Sequence, residues 1–257
     1  MSQSITATAT PLDDGWTVVK PKSRQRAPKL RPKSRQILAQ ASASASQADV
    51  KRVRSIAEIT AQYDRIRTQY ESEASYTKLR DLVKEHAPKK GVKKAVCLGI
   101  GTFDPVDGGW EMKKKAFIQL AAFLLMVQVL EHQSHTSIDC AFQEPVFTTS
   151  DKEFIKSLGH RVVDSPEGFD MVGQDTLLFG IHLYRPIYIQ AMEKATPIMF
   201  VGTELDVWDT LSIDKKDDIL DVPTIKQMSQ THSKHTFPKD DTTNSFTNTA
   251  VYCKEAS

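Results

Sequence analysis

The chain has 257 residues, 40% hydrophobic and 26% charged, a balance that fits one globular domain of about 150–200 residues with room for tails. Its longest apolar run, Ala116 to Leu130, is broken by Gln119 and Gln128 and falls short of the roughly 20 apolar residues that span a bilayer; no apolar stretch follows Met1, so no secretory signal is expected. Cys97, Cys140 and Cys253 lie far apart, which excludes a CxxC pair, a zinc spacing or a disulfide framework and points to a reducing intracellular compartment.

Charge is unevenly spread. Residues 1–54 carry eleven Lys/Arg against three acids, and the remainder carries 23 bases against 29 acids. Eight of the bases and three prolines fall between Lys20 and Arg35, and residues 41–46 read ASASAS. Such a segment buries too little apolar surface to offset roughly 1–2 kcal/mol of backbone ordering per residue. Residues 1–48 are therefore expected to form a disordered basic arm. The arm reads equally well as a nuclear-import or nucleic-acid-binding tail and as a solubilising tail.

A helical segment is expected over 49–90, packed on the core. Ile56, Ile59, Tyr63, Ile66 and Tyr70 are spaced 3, 4, 3, 4, which places them on one helical face. Ser55 and Glu58 resemble a capping box, at the helix start or inside it. Tyr76, Leu79, Leu82 and Val83 continue an apolar face after a break, and Pro88 and Gly91 end it.

From 91 to 222 short apolar strands alternate with helices. The strand patterns are Lys94–Gly101, Ser137–Phe142, His160–Asp164, Thr176–His182 and Pro197–Gly202. The helix patterns are Glu111–Gln133, Asp151–Leu158 and Tyr184–Lys194. The alternation predicts an α/β, Rossmann-like, doubly wound and mostly parallel sheet of about five strands. A strand order of 3-2-1-4-5 would bring the first, second and fourth strands side by side. Residues 223–257, rich in Thr, Ser, Lys and Asp, read as a disordered tail.

Open sheets of this kind bind ligands beyond the carboxyl ends of their strands. There Gly99 and Gly101 allow close backbone approach to a nucleoside-type ligand. Asp104 stands where a full dinucleotide fingerprint has its third glycine, which disfavours a pyrophosphate. Glu144 is placed to accept ribose hydroxyls or to sit as a turn acid. His182 suits an acid, a base or a haem ligand, or a hydrogen-bonded strand end. Thr203, with Glu204 and Asp206, ends the fifth strand. Cys97 and Cys140 read as inert strand residues. No GxSxG, Walker or HExxH motif occurs, so no catalytic residue and no metal site are assigned.

The ordered series VCLGIG, QLA, EPVFT, SLG, TLLFGIHLY and PIMFVG resembles the Sensitivity to Red Light Reduced family over roughly residues 95–205. The segment Gly15-Trp16-Thr17-Val18-Val19 resembles that family's N-terminal piece. Glu144 stands for the family's usual Asp, and Thr203 for its Asn. The resemblance implies a regulatory protein, nuclear and cytoplasmic, of circadian, light or haem-biosynthesis type, acting through protein partners. Nucleic acid through Lys20–Arg35 is a further expected contact, and a membrane is not expected. A nucleoside-type ligand or haem is open as a cofactor. The alternative is a nucleoside- or S-adenosylmethionine-dependent, methyltransferase-like enzyme.

Overall fold

The computed structural model describes residues 54–105, 109–207 and 223–255. The basic arm, the ASASAS spacer and the Trp16 segment lie outside the described residues.

Ser55 begins α1 (Ile56–Glu71) as its N-cap, with both halves of the capping box formed. The sequence stripe is the buried face: Ile59, Tyr63, Ile66 and Tyr70 are all buried. The break falls at Ser72–Glu73, where Glu73 turns extended ahead of α2 (Ala74–His86) and Ser72 Oγ donates to the Gln69 carbonyl at 2.6 Å. Both helices pack on α3 (Trp110–Ser134), which follows β1 (Lys94–Leu98). By length and composition α3 suffices to cross a bilayer, unlike the expectation from the sequence, because Gln119 and Gln128 weigh little in an average over 18 residues. In this fold 72% of its apolar window is buried inside the protein.

The chain continues through β2 (Asp139–Gln143), α4 (Thr149–Ser157), β3 (Arg161–Val162), the short α5 (Glu167–Asp170), β4 (Thr176–Gly180), α6 (Arg185–Ala191) and β5 (Met199–Thr203). Gly159, at φ +85°, closes the turn after α4, a conformation a side chain rarely adopts. The five strands run parallel in the order β3-β2-β1-β4-β5. Their alternate residues separate two layers. Ala95, Cys97, Cys140, Phe142, Leu177 and Phe179 join α1 to α4 in one apolar core.

The tail is the main correction. Residues 223–257 read as unstructured, yet they contain α7 (Pro223–Thr231), β6 (His232–Thr236) and β7 (Thr249–Lys254). The sheet therefore has seven strands rather than about five, in the order β3-β2-β1-β4-β5-β7-β6. β7 lies antiparallel between β5 and β6. Its residues Thr249–Cys253 are all buried, and β5 would be an open edge without it. The connection between β6 and β7 is ordered by Asp240, whose carboxylate accepts from Thr243 N at 2.6 Å and Ser245 N at 2.7 Å. Phe237 and Phe246 stack at 4.3 Å beneath it, with both rings in the main core.

A chain ending at residue 222 should lose its cooperative unfolding transition, because it would expose β5 and remove Phe237, Phe246 and Val251 from the core. A thermal melt followed by circular dichroism checks this. A sharp transition at the full-length temperature would refute it.

Candidate functional site

Register fixes which residues share an edge. Leu98 pairs with Gln143, Cys97 with Phe179 and Gly180 with Gly202. The next residues along these strands are Gly99, Glu144, Ile181 and Thr203. All the sequence-predicted site residues thus leave the sheet at its carboxyl edge. With strands about 4.8 Å apart, the ends of β2 and β4 flank that of β1 at roughly 5 Å on either side.

The turn after β1 needs positive φ, +67° at Gly99 and +83° at Gly101, which glycine supplies without strain. That geometry turns its amides toward acceptors, and the protein itself supplies them. Gly99 N–H donates to the Gln143 carbonyl at 3.0 Å. Gly101 N–H donates to Glu144 Oε2 at 2.7 Å. Phe103 N–H donates to Asp151 Oδ1 at 3.1 Å, and Thr102 Oγ1 donates to its Oδ2 at 2.6 Å. The other oxygen of Glu144 accepts from Val146 N–H at 3.1 Å. Asp104 accepts from Arg54 N–H at 3.2 Å and pairs with its guanidinium at 3.4 Å.

Glu144 is 8% exposed. Burial pushes its carboxyl pKa up, and the bonds from Val146 and Gly101 hold part of that rise back. Asp151 was missed as a site residue. It is fully buried and completes the capping box of α4 with Thr148. The Thr148-to-Asp151 spacing carried that signal.

Thr203 is placed at the edge but fastened inward. The Tyr188 hydroxyl donates to the Gly180 carbonyl at 2.7 Å, accepts from Thr203 N–H at 3.0 Å and lies 3.0 Å from Thr203 Oγ1. One phenol thereby ties β4, β5 and α6. His182 takes a left-handed backbone, φ +57°, and is exposed. Its Nε2 lies 2.8 Å from the Thr247 carbonyl, so that nitrogen carries the proton and donates. Among the described residues no group of three or more His, Cys, Asp and Glu is arranged to hold a metal ion. The cysteines are buried and free; burial pushes Cys140 and Cys253 up to about 12 and Cys97 well up as well, so none is a ready thiolate nucleophile.

The exposed large apolar residues gather at the same edge. Trp110 and Met112 open α3, Val146 follows β2 and Tyr184 follows β4. Trp110, Met112 and Tyr184 are 49%, 57% and 77% exposed. The sequence pattern places Met112 on the apolar side of α3 with Phe117 and Leu120, whereas the structure leaves it exposed in the first turn.

Removing the carboxylate of Glu144 leaves the Gly101 amide unpaired. Glu144→Ala should therefore lower stability by about 1–3 kcal/mol, measured by urea unfolding. Because the folded pKa is raised, the native state binds more protons than the unfolded state above pH 4.5. The contribution of Glu144 thus falls as pH rises from 4.5 through the folded value. Glu144→Gln should remove that part of the decline, visible as a flatter stability–pH curve in this window.

A family model for the SRR1 domain matches residues 79–253. None of the curated proteins compared matches the chain. Two solved structures are similar. The crystal structure of the SAH-bound Podospora anserina methyltransferase PaMTH1 is 10% identical, with a TM-score of 0.40, covering 90% of this chain and 100% of that one. The crystal structure of Thermoplasma acidophilum 1320 is 7% identical, with a TM-score of 0.32, covering 64% of this chain and 77% of that one.

Proposed function

The chain belongs to the SRR1 domain family, and on that premise we propose that it is a regulatory binding module that engages a protein partner through the carboxyl edge of its sheet. The observation that carries this reading is the pairing of two features at one edge. The donors of the glycine turn are tied back to Glu144 and Asp151, and the segments that follow β1, β2 and β4 carry the exposed large apolar side chains Trp110, Met112, Val146 and Tyr184. Apolar and aromatic side chains ringed by polar ones are the usual anchors of protein interfaces. The family resemblance adds the kind of regulation, of circadian, light or haem-biosynthesis type, and a nuclear and cytoplasmic location. The Lys20–Arg35 arm would serve that location or a nucleic-acid contact.

A second reading, a nucleoside- or S-adenosylmethionine-dependent enzyme of methyltransferase type, is favoured by one specific observation. A Cβ built on Gly101 meets nothing within 4 Å, so there is space beside a glycine turn at the reversal point between β1 and β4, with the Glu144 carboxylate on the neighbouring strand.

One comparison separates the two. The full chain is melted with S-adenosylmethionine, S-adenosylhomocysteine and haem, and the Trp110→Ser/Tyr184→Ser pair is tested for retention of the proteins that co-purify with the wild type. The module reading predicts no saturable stabilisation by any of the three, and loss of partners from a pair that melts like the wild type. A saturable rise approaching about 2.7 kcal/mol at 100 times the dissociation constant for an adenosyl ligand would replace it with the enzyme reading.

A further inference from the structure

A second candidate site lies away from that edge, between α2 and α3. Tyr76, Arg80 and Lys84 stand four residues apart on α2. Leu125, Gln128, Val129, His132 and Gln133 follow the 3–4 spacing on α3. The two stripes face each other across a groove with a cavity of about 260 Å³. Leu125 and Val129 are 4% and 6% exposed and form its floor with Tyr76. No carboxylate lines it.

Three basic side chains stand in the same lining. Among the described residues Lys84 makes no ion pair, and Arg80 meets only its neighbour Asp81, an exposed carboxylate, a contact of little strength. The nearby Glu131 is committed elsewhere, to Ile138 N–H at 2.8 Å. Gln133 donates its amide N–H to the Lys84 carbonyl at 2.9 Å, which fixes the orientation of the amide. Its Oε1 is left buried without a partner, an arrangement that costs free energy until a donor arrives.

We propose that this groove binds a small amphiphilic carboxylate. The apolar body lies on Tyr76, Leu125 and Val129, the anionic head meets Arg80, Lys84 and His132, and a hydroxyl or N–H of the ligand satisfies Gln133 Oε1. The volume is slightly below the usual range for drug-sized ligands, which sets the size of the guest. The site is independent of the proposed function at the sheet edge.

The test uses two fluorescent probes on the full chain, 1-anilinonaphthalene-8-sulfonate and its uncharged relative N-phenyl-1-naphthylamine, with decanoate as competitor. The expected result is saturable one-to-one binding of the anionic probe, displaced by decanoate, with the uncharged probe about tenfold weaker or more. Arg80→Glu/Lys84→Glu, at solvent-accessible positions, should weaken the anionic probe by a similar factor while leaving the melting curve unchanged. Gln128→Trp, which adds bulk at the groove, should block both probes. Equal binding of the two probes, no effect of the charge-reversed pair, or loss of binding only on substituting Trp110 and Tyr184 would each overturn the proposal.

Discussion

Every backbone N–H that leaves water has to find an acceptor, and the turn after β1 is where this constraint shapes the molecule. Its positive-φ glycines aim their amides across the carboxyl edge of the sheet. Glu144 on β2's exit and Asp151 on α4 meet them. Because Glu144 bridges Gly101 and Val146, it joins the exits of two neighbouring strands. Asp151 in turn ties the same turn to the start of α4 through Thr102 and Phe103, beneath which Phe103 packs on Phe117 and Phe154. One carboxylate pair therefore sets the position of the turn and of α4.

The other half of the edge is closed by the C-terminal segment. β7 enters antiparallel beside β5, so the connection from β6 arrives at the carboxyl edge rather than the opposite one. There Asp240 folds it on itself, Phe246 reaches Tyr70 of α1 at 6.3 Å, and the Thr247 carbonyl receives His182. What would be an open crevice in a five-stranded sheet is walled on one side. The large apolar side chains Trp110, Met112, Val146 and Tyr184 stay exposed.

Much of this was legible in the sequence, and the exceptions have physical causes. The α1 stripe and the four central strands announced themselves because burial on one face or on both leaves a periodic or continuous apolar pattern. β6, His-Ser-Lys-His-Thr, left none, because it is an edge strand held by backbone pairing with only His232 buried. β7 carries a readable run, Ala250–Cys253, that was masked by the polar residues around it. The residues of the edge were found because glycines, acids and histidines at strand ends follow a positional rule. Their partners Tyr188 and Thr247 were not, since side-chain pairing across the fold leaves no local mark, while Asp151 left one only in its capping-box spacing from Thr148.

The central claim is that Glu144 holds the glycine turn closed, and amide hydrogen exchange at Gly101 tests it most directly. The structure predicts that this amide exchanges slowly in the full chain, that Glu144→Ala accelerates it selectively, and that the amides of β1 keep their protection. A Gly101 amide that already exchanges at the rate of an open loop, or is unaffected by loss of the carboxylate, would contradict the claim.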